Sequence, residues 1–454
     1  MTTTDNTDVS WALSQPQHAQ RFRLTVELHA RPFEASMAPT DVYLFAKHTG
    51  EGATEKELEH LAWFCQKHQL SSPEPNSRHF RCEVDEHRLR WERHGEFTTF
   101  TIYLRSVGPS LFENELPSFF TEWLSKTEGT LLVASKLAVR EISKYQNIDK
   151  WIPTLFAKES MVSANIASQE AQVWTDLKIH DDGYNHILLL NRRLTPPKMG
   201  RVMHRLLDIS TYRNMALLAL PEAQKASREI AQLDQNLTQL LNQLNVSTSE
   251  NPSDDQFAVS VSESVKSDTD MLQLLTQLSM EIQTLSARVR YRLSAAEAYY
   301  ALVNSRIKEL NEERVTGYQT IGEFLQRRLS PAMRTCENVN QRLEDLAKRT
   351  ARAVDLLRTR LNLNLEHQNH ALLEAMDQRA RIQIRLQETV EGLSIAAITY
   401  YIVGLIGYLA KSSQMLNAGI KPELIVSFCV VPVALFVYFG VRRIKRRILK
   451  EKAD

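Results

Sequence analysis

The sequence is poor in the residues that usually carry chemistry. Its 454 residues include only 14 glycines, scattered along the chain. None of them builds a phosphate-cradling loop or a nucleophile elbow, and no HExxH pair is present. No nucleophile with an acid–base partner can be named, so an enzyme is not expected. The four cysteines, Cys65, Cys82, Cys336 and Cys429, lie far apart and form no CxxC pair. That argues against a disulfide framework or a cysteine-built zinc site and fits reduced thiols in a cytosolic compartment. An excess of charge is also missing. Lys and Arg number 55, Asp and Glu 54, leaving a net charge of +1, whereas a nucleic-acid binder is usually clearly basic, so no nucleic-acid partner is expected. The opening MTTTDNTDVSWALSQPQ has neither a basic n-region nor an apolar stretch, so it does not read as a signal peptide.

What the chain does have is two charge-free apolar runs near its C-terminus. Leu393–Ala410 reads LSIAAITYYIVGLIGYLA and Leu424–Val441 reads LIVSFCVVPVALFVYFGV. As a helix, each would rise about 27 Å, close to the hydrocarbon thickness of a bilayer. Lacking the polar stripe of an ordinary core helix, they read as transmembrane helices 1 and 2 rather than as a buried pair. Arg379, Arg381 and Arg385 precede the first run, and Arg442, Arg443, Lys445, Arg446, Arg447, Lys450 and Lys452 follow the second. The connecting loop, 411–423, carries only Lys411 and Lys421. Lys and Arg stay on the cytoplasmic side, which predicts two cytoplasmic termini, an outward loop and a basic tail over 442–454.

The remainder divides by pattern. Residues 1–20 are polar and read as a flexible start. From 21 to about 195 the chain reads as an α+β cytosolic domain. Phe22, Leu24, Val26 and Leu28 alternate with polar residues as a half-buried strand would, and DVYLFAKH from Asp41 suggests a second. Thr54–His68 has helical spacing, with Thr54 and Glu57 placed for a capping box. Turns near Asp85-Glu86 and His94-Gly95 predict a meander, and Asp181-Asp182-Gly183 a tight turn between two later strands. Residues 196–392 read as long helices, broken by a polar loop at 246–258. Seams run through Ile230–Leu244, Leu272–Leu293 and Val339–Leu372 in steps of three and four. Such seams imply coiled-coil-like stacking, within the chain or between copies. Pro331 is expected to kink or restart the last helix, which would then run on for about 90 Å to Gly392 and into the first span.

Several clusters are weighed against plainer roles. His79, Cys82, His87 and His94 are close in sequence, but strand periodicity puts them on both faces of a hairpin, which favours a structural role over metal binding. His367 and His370, with Glu374 and Asp377 nearby, would make a pH-sensitive helix patch or an ordinary surface. Glu388 and Glu391 sit at the mouth of the first span. Repeated around an axis they would form acidic rings that concentrate cations; alone, they would pair with Arg385 or end the helix in water. Within the span, Gly404 and Gly407 allow close helix contact, and Thr399, Ser394 and the tyrosines are its polar groups.

Two resemblances follow from these residues. Leu28-His29-Ala30-Arg31-Pro32-Phe33-Glu34 resembles the signature of an uncharacterised family of predicted bacterial membrane-anchored proteins. The run from Gln368 through Lys411 is similar to that family as well. This resemblance implies placement in the bacterial inner membrane and brings no activity. His29, Arg31 and Glu34 would form either a salt-bridged structural corner or a ligand site, with Arg31 able to meet Glu34 if the chain turns after Pro32. The second resemblance is architectural. An α+β domain, a long stalk helix, two C-terminal spans and a basic tail resemble the CorA-type magnesium channel family, and Pro422-Glu423-Leu424 echoes that family's Pro-Glu-Leu. It implies a homo-oligomer in the lipid bilayer, a first span lining a pore and a divalent cation as its cargo, with Asn417 and Glu423 at the outer mouth. The family's Gly-Met-Asn is absent. Here Gly407-Tyr408-Leu409-Ala410-Lys411 ends the span, with Met415-Leu416-Asn417 displaced into the loop, and a lysine there repels divalent cations. The other class of function compatible with the sequence is a non-transporting scaffold whose cytosolic domain binds a partner.

Overall fold

A computed structural model describes residues 15–22, 24–25, 33–50, 54–75, 77–105, 111–145, 148–247, 257–413 and 422–451. It has an α+β N-terminal region, long helices and two C-terminal helices that are long and apolar enough to cross a membrane. The chain divides into two compact units, Met1–Asn245 with Leu274–Ala353, and Val246–Gln273 with Val354–Asp454.

The first unit is built on a nine-stranded mixed sheet. Its strands are β1 (Thr40–His48), β2 (His79–Val84), β3 (His87–Arg93), β4 (Phe97–Arg105), β5 (Thr130–Glu141), β6 (Val162–Ile166), β7 (Ala171–Ile179), β8 (Asn185–Asn191) and β9 (Glu313–Arg314), in the order β2-β3-β4-β1-β5-β8-β7-β6-β9. β1 lies between β4 and β5, antiparallel to both, while β5 and β8 run parallel. The β2–β3–β4 meander turns where expected, with Asp85 at φ +54°. The β7–β8 turn likewise closes on Gly183 at φ +82°, a conformation glycine adopts without strain.

Alternation along these strands sorts side chains to the two faces. On one face, Tyr43, Phe45, Leu89, Trp91, Phe100 and Ile102 pack under helices α1 (Thr54–Lys67) and α2 (Ser118–Lys126) through Leu61, Phe64, Phe120 and Trp123. Farther along, Ala138, Trp174, Leu188 and Leu190 pack with Phe112, Phe156 and Ile152 of α3 (Ile148–Leu155). A buried ion pair, Asp41 to Arg140, lies in this unit with Asn114 also donating to Asp41. The other face carries Leu44, Thr99 and Thr101, which meet His204, Leu207 and Thr211 of α4 (Pro196–Leu217).

One expectation is corrected in this unit. Phe22 and Leu24 are exposed and belong to a helical turn, not a strand: Leu24 N donates to Gln20 O at 2.9 Å and Thr25 Oγ1 to Arg21 O at 3.1 Å. Four alternating positions are too few to fix a period, and local i→i−4 bonds win; Val26 and Leu28 fall outside the described residues. Glu57, in the first turn of α1, turns its carboxylate inward. It accepts Thr98 Oγ1 at 2.9 and 3.0 Å and lies 3.7 Å from Arg93. Burial pushes its carboxyl above the usual range even against these partners.

The long helices are α5 (Ala219–Ser247), α6 (Phe257–Leu310), α7 (Ile321–Ser413) and α8 (Pro422–Glu451). Of the polar loop expected at 246–258, residues 248–256 lie outside the described ones. In the first unit the seam residues Ile230, Leu237, Leu275, Leu278, Ile282, Leu285, Val289, Leu293, Val339, Leu343 and Leu346 are buried as their spacing demands. Ion pairs tie these helices across: Arg288 to Glu229 at 2.6 Å, Arg349 to Asp234 at 2.8 Å, Arg306 to Asp208 at 2.7 Å and Arg205 to Glu309 at 2.9 Å.

Pro331 does not restart the last helix. α7 already begins at Ile321 and passes through it. The start is fixed by a reciprocal capping box, Glu323 N to Thr320 Oγ1 and Thr320 N to Glu323 Oε2, both 3.1 Å. Glu312 adds a second cap, accepting Ile321 N at 3.0 Å and Gly322 N at 2.9 Å. With the helix already nucleated ten residues upstream, the single hydrogen bond lost at proline is not enough to end it.

In the second unit, Arg360 of α7 pairs with Asp268 of α6 at 3.1 Å, and Leu357 and Met271 are buried. Beyond Leu357 the seam opens: Leu363, Leu365, Leu372, Leu373, Met376, Ile382, Ile384, Leu386 and Val390 are all exposed. The apolar windows of α7 and α8 are 0% and 6% buried, so they are not core helices of the chain. A Cβ on Gly407 would stand 3.4 Å from Val426 Cγ2, so here α7 and α8 approach closely at a small residue, while Gly404 has open space around it.

Candidate functional site

The 28–34 segment enters the described structure at Phe33; His29, Arg31 and Pro32 lie outside the described residues. Phe33 meets the His204 ring edge-on at 5.4 Å. Glu34 places one carboxylate oxygen 3.1 Å from Arg81 of β2 and the other 3.4 Å from Arg88 of β3. Arg88 also donates to Ala35 O at 3.1 Å and lies 5.2 Å over the Tyr103 ring. The backbone is fixed against α4. Ser36 N donates to Pro196 O at 3.2 Å, and Gly200 sits so close that a Cβ there would fall 1.8 Å from Glu34 O. The expected partner of Glu34 was Arg31; its partners among the described residues are two arginines 47 and 54 positions away. No local pattern signals that meeting.

Glu34, Arg81 and Arg88 line an open cavity of about 690 Å³, together with Arg90, His79 and Tyr103. Arg90 is buried and pairs with Glu92 at 2.7 Å. Burial drives the Glu92 carboxyl up, but Arg90 outweighs it and holds the group below its usual range. Burial also pushes the Tyr103 hydroxyl up to about 12, so it stays protonated at neutral pH. Burial likewise holds the His204 imidazole below its ordinary range, so Phe33 packs on a mostly neutral ring.

The four residues weighed as a metal set do not converge. His79 faces the cavity and Cys82 packs toward the apolar core. His87 lies near the Phe120 ring, and His94 stacks on Phe97 at 4.2 Å. Among the described residues no group of three metal-ligating side chains is found. All four cysteines are free, and burial pushes Cys65 up to about 11 and Cys82 up to about 12.

A second constellation lies where β5, β8 and the β7–β8 turn meet. Lys136 reaches Asp182 at 2.7 Å, and His186 reaches the same carboxylate at 3.0 Å. Phe112, His186 and His180 stack in series at 4.2 and 4.1 Å, and His180 lies 3.2 Å from Asp176. Nothing in the local sequence marks this stack beyond the Asp-Asp-Gly turn that carries Asp182.

In the second unit, His367, His370, Glu374 and Asp377 are exposed, with Asp377 pairing to Arg381 at 2.7 Å. Glu388 is exposed and Glu391 partly so. Thr399 is half-buried, and the Ser394 hydroxyl donates to Val390 O of its own helix at 2.9 Å. Glu423 falls in the first turn of α8, and Asn417 lies outside the described residues.

The profile of the family described as "Protein of unknown function (DUF3422)" matches residues 16–448. No curated protein and no solved structure matches the chain. The chain therefore belongs to the DUF3422 family.

Proposed function

We propose that this DUF3422 member is an integral protein of the bacterial inner membrane that works as a homo-oligomer of CorA-like build, passing ions or regulating their passage. Both termini lie in the cytoplasm, and the 411–423 loop faces outward. The observation that supports assembly is the set of exposed apolar side chains along α7 between Leu363 and Val390. These side chains lie upstream of the apolar window, where water rather than lipid would meet them, and a second copy of the same helix would cover them. Particle mass in lipid nanodiscs tests this. Five copies are expected, and a monomer or dimer overturns it, because so few spans cannot enclose a pore. Cation flux in liposomes tests the second half: it should fall when Asn417 or Glu423 is replaced, and flux unchanged by deletion of the outer loop overturns it.

A second reading is a non-transporting scaffold whose cytosolic domain binds a partner. It is favoured by the polar groups of the first span, since Ser394 spends its hydroxyl on its own helix and Lys411 stands at the outer end. Residues 1–390 fused to an unrelated anchor should then complement a deletion strain; failure means that anchoring alone is not the task.

A further inference from the structure

The cavity beside the Phe33–Ser36 segment has the features of a binding site that is already occupied by part of the chain. A carboxylate whose two oxygens go to two different arginines is held as a free carboxylate or phosphate ligand would be, since guanidinium groups match the geometry of such oxyanions. Here that carboxylate belongs to Glu34. Its main chain cannot withdraw, being pinned between Gly200 and the Ser36–Pro196 hydrogen bond. Its side chain can, because the clamp opens onto a cavity of about 690 Å³, within the size range of small-molecule sites. Arg81 is 46% and Arg88 32% exposed, so an incoming anion can reach both. Arg90 is already committed to Glu92 and does not need a ligand. If Glu34 turned away, Arg81 and Arg88 would lose its carboxylate, with Glu74 and Glu83 the other acidic side chains lining the cavity.

We infer that the cavity over β2 and β3 is a binding site for a small molecule bearing a carboxylate or phosphate, and that Glu34 is an internal occupant of its arginine clamp which the ligand displaces. Glu34 then acts as a selectivity filter by competition: only an anion with more contacts to the cavity than one carboxylate supplies can take its place. The site is independent of ion passage and of oligomer number.

The test is calorimetric titration of inorganic phosphate and of citrate onto the full-length protein in nanodiscs. Removing the competing charge with Glu34→Gln should tighten binding of at least one probe by tenfold or more. Arg81→Gln with Arg88→Gln, added to Glu34→Gln, should abolish the gain. Tightening by citrate alone assigns a carboxylate ligand, and by phosphate alone a phosphate. Equal affinity of the wild type and Glu34→Gln for both probes overturns the proposal, as does binding that survives loss of both arginines. Should Glu34→Gln fail to fold, the wild type decides: the thermal shift given by 0.1 M citrate or phosphate must shrink on Arg81→Gln, and an unchanged or absent shift overturns it.

Discussion

Replacing Gly200 by alanine should loosen the Phe33–Ser36 segment, against the helix's own preference. A Cβ at this position falls 1.8 Å from Glu34 O and 2.8 Å from Glu34 C. Real contacts of that kind do not go below about 3 Å, so one backbone must give by more than an ångström. α4 is held along its length by Met199, Val202, Met203, Leu206 and Leu207, all buried, so it is the segment that yields. Its movement strains the Ser36–Pro196 bond and the Arg81 and Arg88 pairs with Glu34. Overpacking of this kind costs about 1–3 kcal/mol. Alanine returns about 1 kcal/mol as a better helix former, so the net loss should be on the order of 1 kcal/mol. Gly392 is the control: it is helical with nothing within 4 Å of an added Cβ, so Gly392→Ala should stabilise. Urea unfolding measures the stability, and hydrogen exchange at the Ser36 amide measures the docking. If Gly200→Ala is as stable as Gly392→Ala, with Ser36 protection unchanged, then the close approach is not what holds the segment.

Three further outcomes follow from buried groups. Arg140→Ala leaves Asp41 charged in the core and should cost about 3–5 kcal/mol in urea unfolding, whereas Asp41→Ala with Arg140→Ala should cost less than the sum of the single changes. Additive costs would mean that the two side chains do not act as a pair. Burial would raise the Asp182 carboxyl, but hydrogen bonds from Lys136 and His186 outweigh it and hold the group at about 2. A depressed carboxyl contributes stability that is complete above its ordinary range and lost as pH falls toward 2. Urea midpoints measured from pH 5 to 2.5 should therefore fall less steeply in Asp182→Asn than in the wild type, and parallel curves would refute the linkage. Cys65, fully buried, should resist an aromatic disulfide reagent at pH 8 until the chain unfolds, since burial also raises its thiol well above that pH. Rapid labelling of Cys65 in the folded protein would contradict its placement.

Much of this architecture was legible in the sequence because it rests on short-range periodicity. Alternation marked β1 and the β2–β3–β4 meander, and steps of three and four marked the seams of α5, α6 and α7. Charge-free runs marked the two helices able to cross a membrane. What escaped depends on residues far apart. The Arg81 and Arg88 pairs of Glu34 join positions 47 and 54 residues apart, and the parallel β5–β8 pairing has no local signature. The start of α7 is written locally as the capping box Thr320-Ile321-Gly322-Glu323, which outweighs the punctuation of Pro331 ten residues on. The α7 seam carried the opposite lesson. Its spacing past Leu357 promised burial, and the chain alone leaves those residues in the open.

The two-residue strand β9 has a consequence for the order of events during synthesis. It pairs Glu313 and Arg314 with Asn165 and Ala164, and it is flanked by Ala167 N donating to Leu310 O and Ser163 N to Gln319 O. β6 is complete at Ile166, yet the segment that covers it emerges about 150 residues later, a wait of roughly 7–30 s at ordinary translation speeds. Throughout that interval the nascent sheet presents an open margin of unpaired amides and carbonyls to every neighbouring chain on the same message. Nascent chains of this protein are therefore most exposed to mispairing with one another after the sheet has formed and before α7 begins.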